Sequence, residues 1–322
     1  MLEGNVLITG GTGSLGTAIL ERAEKEGWPA KFTILARGEA KMAQTLKQFS
    51  SVRGEIGDVR DLQWLRTIFP GHDYVIHTAA LKVIPSAEVN VRETVLTNVV
   101  GSMNVSMASV ECGIKRTCAT STDKVPESRT QYGHSKALME GLLREADSWS
   151  ATSSFNLVRY GNVLKSSSSV VPFFENLMKQ NKPITLTHTD MYRFFLTMDD
   201  AIDLILDALH WELSGVVLVP KAKAISMLNL AKYIAGDKYP IEIIGIRPGE
   251  KLVEKMIHGG EAIHSKDIGK YFEIHHPASH VENHLPFNFE YVSDTCEQLT
   301  KHELFSMLNT YNPYGGPIYE ND

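Results

Sequence analysis

The sequence predicts an α/β protein, a Rossmann-type doubly wound parallel sheet with a smaller C-terminal substrate lobe. Three observations predict it. Apolar or β-rich runs alternate with helical patterns through the first half of the chain. A glycine-rich turn separates the first such run from the first helical pattern. The regularity then decays after about Tyr160. Strands alternating with helices of this length make βαβ units, and right-handed crossovers lay such units into one parallel sheet.

The strand runs are Asn5–Thr9, Lys31–Ala36, 51–56, 74–80, 116–121 and 155–160. Between the first two, Leu15, Ile19 and Ala23 recur at helical spacing and Gly27 stops the helix. Val95, Val99, Met103 and Met107 mark one face of another long helix, ended near Gly113. Beyond Tyr160 the serines at 166–169 predict a loop, and Pro172, Pro183, Pro220, Pro240 and Pro248 punctuate short elements. The tail from Asn312, rich in Gly, Pro and Asn, is expected to be loosely held. No internal repeat is present.

Length and composition bound the function. The chain has 322 residues; at roughly 150 residues per domain this means two domains, or one domain with a lobe. A formal net charge of −6 implies no broad basic surface and argues against a nucleic-acid partner. Cys112, Cys118 and Cys296 are sparse and unpatterned, as expected of thiols in a reducing compartment rather than of disulfides or a zinc site. His72, His77, His134 and His188 show no metal-ligand spacing and no metal is expected, and His77 at a strand end reads as a packed core residue. The N-terminus lacks a signal-peptide pattern and no apolar run is long enough to span a membrane, so a cytoplasmic setting is expected.

The turn Thr9-Gly10-Gly11-Thr12-Gly13-Ser14-Leu15-Gly16 carries glycines at 10, 13 and 16. In this setting Gly10 permits the tight turn, Gly13 lets a pyrophosphate approach the backbone, and Gly16 lets helix and strand pack closely. The helix N-terminus favours the anion. A dinucleotide cofactor is the expected ligand. An acid after the second strand would bind a ribose 2′-hydroxyl, but this chain has Arg37, with Lys41 one turn later. Two cations there suit a 2′-phosphate and hence NADP; the competing reading is a solvated surface arginine. Asp58 and Val59, after the third strand, could border the adenine.

The fifth strand runs into Thr120-Ser121-Thr122-Asp123-Lys124, and Tyr132-Gly133-His134-Ser135-Lys136 follows. Tyr and Lys four apart on a helix share one face. A phenol ordinarily loses its proton at about pH 10. A neighbouring ammonium and a cationic nicotinamide are expected to lower that value and make Tyr132 a base toward a sugar hydroxyl. Lys136 would also hold the nicotinamide ribose.

These motifs resemble those of the extended short-chain dehydrogenase/reductases. More narrowly, Ser121-Thr122-Asp123-Lys124 with Tyr132 resembles the UDP-N-acetylglucosamine 4,6-dehydratases of polysaccharide biosynthesis, including the C5-inverting type. The similarity runs nearly the whole chain. It includes Gly57-Asp58-Val59-Arg60-Asp61, Ala79-Ala80-Leu81-Lys82, Arg159-Tyr160-Gly161-Asn162-Val163, Asp190-Met191-Tyr192-Arg193-Phe194 and Arg247-Pro248-Gly249-Glu250-Lys251. Dehydratases acting on dTDP-glucose typically carry Asp-Glu where this chain has Asp123-Lys124, and epimerases typically lack both.

The resemblance implies roles. Tyr132 is the C4-hydroxyl base and Thr122 its hydrogen-bond partner. Lys124 is the C5 base, which requires a depressed pKa, expected from burial beside Lys136 and the nicotinamide. Asp123 is the acid at C6. Ala79, Ala80, Lys82 and Asn98 join the cofactor site, and Lys82, Asn162, Arg193, Arg247 and Glu250 bind substrate. Arg193 and Arg247 suit a diphosphate, since a guanidinium grips phosphate bidentately; surface pairing with Asp190 or Glu250 is the alternative. Residues 1–165 would form the NADP-binding domain and 166–322 mainly the substrate lobe, with some segments returning to the sheet. A homo-oligomer, dimer or hexamer, is implied as well. The sequence departs from the family where an arginine is common at Ser167, which leaves open whether Lys165 replaces it. Asp199 and Asp200 read as helix capping rather than acid/base groups. A sugar epimerase and a non-catalytic NADP sensor remain as competing readings; Asp123-Lys124 argues against the first and the intact Tyr132/Lys136 pair against the second.

Overall fold

The computed structural model describes residues 1–166, 169–310 and 319. The first half alternates β1 (Asn5–Thr9), α1 (Ser14–Glu26), β2 (Lys31–Ala36), α2 (Glu39–Gln48), β3 (Arg53–Ile56), α3 (Leu62–Ile68) and β4 (Tyr74–His77). It continues with α4 (Ile84–Val89), α5 (Val91–Thr94), a π-helical stretch (Val95–Val100), α6 (Gly101–Glu111), β5 (Arg116–Thr122), α7 (Gln131–Ala146) and β6 (Ser154–Tyr160). The elements then shorten: β7 (Asn162–Val163), α8 (Val170–Lys179), β8 (Ile184–Leu186), β9 (Tyr192–Leu196), α9 (Met198–His210), β10 (Val217–Pro220), β11 (Ala224–Ser226) and α10 (Met227–Ala235). Last come β12 (Ile241–Ile243), β13 (Lys255–Ile257), β14 (Ser265–Asp267), β15 (Tyr271–Ile274), β16 (Tyr291–Val292) and α11 (Lys301–Thr310).

The fold is the expected Rossmann-type one. Nine strands form one sheet in the order β14-β15-β10-β6-β5-β4-β1-β2-β3. All neighbours are parallel except β10/β15 and β14/β15. The winding reverses between β1 and β4, and such a switch point opens a crevice at the C-terminal strand ends. Val6, Leu7 and Ile8 of β1 are wholly buried, as expected of a strand covered on both faces. A separate apolar core around Phe174, Phe195, Leu230 and Leu308 holds the short elements together.

Several local expectations change. The fourth strand ends at His77 rather than at residue 80, because Thr78 turns back and donates both its N–H (3.1 Å) and hydroxyl (2.8 Å) to the Thr9 carbonyl. The stripe Val95/Val99/Met103/Met107 lies on the outer face of its helix, with Val95 exposed. The buried side instead combines Val105 and Ala108, packed with Leu7 and Val75, with small polar residues: Asn98, Ser102, Ser106 and Ser109. Ser102 and Ser106 donate to carbonyls one turn back, at 2.6 and 3.1 Å, so each hydroxyl is satisfied on its own helix and backbones can approach closely. His77 is a core residue, bonded to the Thr9 and Ser102 hydroxyls at 2.7 and 2.9 Å. Burial, helped by Lys136, pulls it down to about 3, so it is neutral. Asp200 completes a capping box with Thr197, the cap of α9, and Asp199 lies in the same first turn.

One ion network ties these layers together. Arg159 on β6 is fully buried and meets Glu140 of α7 through Nε (3.0 Å) and Nη2 (2.6 Å). It also reaches Glu261 at 2.9 and 2.8 Å and the Met256 carbonyl at 2.8 Å. Ser121 of β5 donates to the same Glu140 at 2.5 Å. Arg159→Met leaves two buried carboxylates without their cation, and breaking such a pair on one side costs about 3–5 kcal/mol. Urea unfolding should show a loss of that size; a loss below about 1 kcal/mol would contradict the network's importance.

Candidate active site

A cleft of about 1260 Å³ opens where the strands of the parallel sheet end. One wall is the glycine turn. Gly10 has φ 73°, and a Cβ there would stand 2.8 Å from the Ala79 nitrogen, so only glycine lets the turn lie against the chain after β4. Thr12, Gly13, Ser14 and Leu15 line the cleft, and Gly13 is the N-cap of α1 without a side chain to cap it. Gly16 does not reach the cleft. Its work is packing, since a Cβ there would sit 2.4 Å from the Gly11 carbonyl oxygen. Ala79, Ala80 and Lys82 line the next stretch.

At the far end lie Arg37, Lys41, Asp58 and Val59. Asp58 is claimed by Arg60, which donates from its backbone (3.0 Å) and from Nε (2.8 Å). These bonds hold the Asp58 carboxyl below its ordinary range although burial opposes them. Arg37 is half exposed and 3.9 Å from Asp58, too far for a hydrogen bond, so its guanidinium remains open to an anion in the cleft.

Tyr132 and Lys136 project from α7, whose start is fixed twice. The Thr130 hydroxyl accepts from Gly133 N–H at 3.1 Å, and Glu88, itself on the cleft wall, accepts from Gln131 N–H at 2.7 Å. Burial pushes the Tyr132 phenol up to about 12, outweighing the Lys124 ammonium and the Thr122 hydroxyl, which favour the phenolate. The expected lowering is therefore absent in the protein alone. Lys136 donates to the Thr120 carbonyl at 2.8 Å, and burial brings it down to about 8 against the pull of Glu140.

Lys124 reverses the sequence expectation more sharply. Its ammonium donates to Asp123 Oδ1 at 2.7 Å and stands 3.7 Å from Glu254. Burial and Arg193 would lower its pKa, but the two carboxylates win and the net shift is upward. Lys136 is not among the largest influences on it. Lys124 and Thr122 line the cleft; Asp123 does not. It is fully buried behind them, accepting on Oδ1 from the Thr122 hydroxyl at 3.0 Å as well, while Oδ2 has no hydrogen-bond partner among the described residues.

Two further expectations fail. Asn98 is wholly buried and misses the cleft; it clamps both backbone groups of Leu81, at 2.8 and 3.0 Å, and reaches the Ser135 hydroxyl at 3.0 Å. Thus it joins the chain after β4 to α7 rather than touching a ligand. Arg193 is also spent internally. It donates to the carbonyls of Tyr192 (2.7 Å), Leu252 (3.2 Å) and Lys251 (2.9 Å), because the 247–254 segment folds over β9. Arg247, Glu250 and Asn162 do line the cleft. Glu250 accepts from the Arg247 backbone at 2.9 Å and leaves the guanidinium exposed, 4.0 Å away. Lys165 is buried with its ammonium 5.5 Å from the Tyr319 ring centre and off the cleft wall, so it does not stand in for the family's arginine; Ser167 lies outside the described residues. The sequence reading passed over Glu254. Its one signal was its place three residues after Lys251, the spacing of a neighbouring pair.

Among the described residues no group of three or more His, Cys, Asp or Glu could hold a metal ion, and no helix is long and apolar enough to cross a membrane. Residues 6–276 match the polysaccharide biosynthesis protein family. A relative from Campylobacter jejuni, a UDP-N-acetylglucosamine 4,6-dehydratase (inverting), is 34% identical over 314 residues, covering 96% of this chain and 93% of the relative. A Rickettsia bellii relative, a UDP-glucose 4-epimerase, is 35% identical over 283 residues, 85% of this chain and 83% of its own. The X-ray structure of Pen from Bacillus thuringiensis superposes with a TM-score of 0.86 at 31% identity, covering 94% of this chain and 95% of Pen.

The two arginines should separate in solution. Arg193→Ala removes a buried guanidinium from three carbonyls and is expected to cost about 2–3 kcal/mol in denaturant unfolding. Arg247→Ala should stay within about 0.5 kcal/mol of the parent, as surface changes do. Equal effects would place both in the same role.

Proposed function

The chain belongs to the polysaccharide biosynthesis protein family, and from that premise we propose that it is an NADP-dependent 4,6-dehydratase of UDP-N-acetylglucosamine. The product is a UDP-4-keto-6-deoxy sugar, with inversion at C5, a reading supported by the word inverting in the Campylobacter relative's name. The observation that carries the reading is the Asp123–Lys124 pair, 2.7 Å apart, with Lys124 in the same cleft as Tyr132 and Lys136. An epimerase needs the second pair only. A dehydratase needs both, because it must also remove a C5 proton and expel a C6 hydroxyl.

The glycine turn and α1 suit a pyrophosphate, and Arg37 with Lys41 suits a 2′-phosphate. The bound cofactor supplies the hydride acceptor for C4 and the hydride donor for C6. The protein handles the protons. Tyr132 Oη takes the C4 hydroxyl proton, a task that Lys124 and Thr122 ease by favouring the phenolate. Lys124 holds a proton at rest and must give it up to act as a base. Asp123 Oδ1 is close enough to take it. That single transfer leaves Lys124 neutral for the C5 proton and Asp123 holding the proton for the departing C6 oxygen, which it passes on through the Thr122 hydroxyl that bonds its Oδ1 and lines the cleft. Elimination then restores the ion pair. Lys136 would hold the nicotinamide ribose, and Lys82, Asn162, Glu250 and Arg247 the substrate, Arg247 at its diphosphate. A cytoplasmic homo-oligomer belongs to the same proposal; exposed Val89, Val91, Val95 and Leu138 on neighbouring helices would suit a second copy.

The relatives bearing an epimerase name favour a second reading, C4 inversion without elimination. Incubation with UDP-N-acetylglucosamine and mass spectrometry divides them: loss of water supports the dehydratase, and unchanged mass with a new sugar isomer the epimerase. In Lys124→Ala, water loss and C5 deuterium exchange should fall together by about 10²–10⁴-fold, the usual cost of losing a general base. Wild-type rates in that variant would remove Lys124 from the reaction.

Arg37→Ala should weaken NADP binding by at least about tenfold, the loss of one charge-assisted contact, and leave NAD binding nearly unchanged. Calorimetry with each cofactor checks this; a protein that binds NAD more tightly than NADP would refute the NADP assignment.

A further inference from the structure

We propose that Glu254 is a positioning residue for the elimination step: it is the second carboxylate on the Lys124 ammonium and sets how readily that ammonium surrenders its proton to Asp123. The proposal rests on the dehydratase reading above. Glu254 is almost wholly buried, and its backbone is pinned to Ser293 on both sides. Its N–H donates to the Ser293 hydroxyl and its carbonyl accepts from Ser293 N–H, each at 2.9 Å. A buried carboxylate held this firmly keeps a fixed distance from its neighbours and must be paired to be tolerated.

Three cations surround it. Oε1 lies 3.7 Å from Lys124 Nζ and 3.9 Å from Arg193 Nε, and Oε2 lies 2.9 Å from Lys251 Nζ. Arg193 is locked by its three carbonyls, and Lys251 donates to the Pro126 carbonyl at 3.1 Å. The distances rank the contacts. Lys124 is hydrogen-bonded to Asp123 but too far from Glu254 for a hydrogen bond, so Glu254 acts on it through charge alone. Removing the charge therefore leaves the Lys124–Asp123 bond in place and changes the ease of proton transfer. The groups facing Lys124 are Asp123 beside it in the chain, Tyr132 from α7, Arg193 from β9 and Glu254 from the segment before β13. Lys251 stands behind Glu254 and offsets it.

Charges of either sign at such distances typically move a pKa by about 1–3 units. Glu254→Gln withdraws a negative charge, so Lys124 gives up its proton more easily. The rising limb of C5 deuterium exchange against pH, set by loss of a proton from the coupled Asp123–Lys124 pair as a whole, should then move down by about one unit. Lys251→Met withdraws the cation that offsets Glu254, and the same limb should move up by a similar amount. Glu254→Asp keeps the charge and should leave the limb within a few tenths of a unit of wild type. The exchange profile is recorded in D2O with UDP-N-acetylglucosamine, alongside water loss by mass spectrometry. A merely structural Glu254 would lower the rate at every pH without moving the limb, and an unmoved limb in folded Glu254→Gln overturns the proposal. So do shifts of the same sign in the Gln and Met variants. If Glu254→Gln fails to fold, the direction of the Lys251→Met shift decides alone. Wild-type protein that loses no water overturns the dehydratase reading first, an outcome distinct from dehydration with an unmoved limb.

Discussion

A single fully buried guanidinium, that of Arg159, joins the strand ends, helix α7 and the C-terminal segments. It fixes Glu140, which lies one turn beyond Lys136 on α7 and also takes the Ser121 hydroxyl, next to Thr122. Its other side holds Glu261 and the Met256 carbonyl, in the segment that follows Glu254. Buried ions are costly to desolvate and tolerate little misfit. The network therefore admits few arrangements of β5, β6, α7 and the 254–261 segment, and these elements carry or adjoin Thr122, Tyr160, Tyr132 with Lys136, and Glu254. Polar anchors continue the same logic outward. Asn98 ties the chain after β4 to α7, and Glu88 and Thr130 set where α7 begins.

Two lysines in one cleft are driven in opposite directions by this frame. Both are buried enough for desolvation to favour the neutral amine. The acid that pulls on Lys136 is Glu140, but that carboxylate is already engaged by Arg159 and Ser121, and burial prevails. Lys124 bonds Asp123 directly and feels Glu254, so charge prevails. Neighbours rather than depth separate the two residues, the general way in which one fold assigns different proton tasks to like groups. On the proposed dehydratase reading, the resting Asp123–Lys124 ion pair is the storage form of an acid and a base, one proton transfer from use.

The glycine turn and the Tyr132/Lys136 pair were legible in the sequence because their geometry is largely local. Gly16 answers to a contact with Gly11 and Gly10 to a left-handed turn, though the room Gly10 leaves for Ala79 is a tertiary matter, and the spacing of Tyr132 and Lys136 puts them on one helical face wherever the helix goes. Strand limits for β1 and β2 follow from apolar runs covered on both faces. The Val95/Met107 stripe misled because helix periodicity marks a face without saying which side the core lies on. Here small hydroxyl residues, satisfied on their own backbone, allow the closer approach to the sheet.

By itself the sequence determined the parallel α/β order, the glycine turn with cations after the second strand, and the placing of Tyr132 and Lys136 one helical turn apart, since each depends on residues near one another along the chain. Only the tertiary structure decided which charges face the cleft. Arg193 and Arg247 look alike as residues in motifs, yet one is bound by three carbonyls of a distant segment and the other lines the cleft. The protonation bias of Lys124 was likewise undecidable, because Glu254 lies 130 positions away in the chain and 3.7 Å away in space. Electrostatic energy depends on distance and burial, and neither is written in sequence separation.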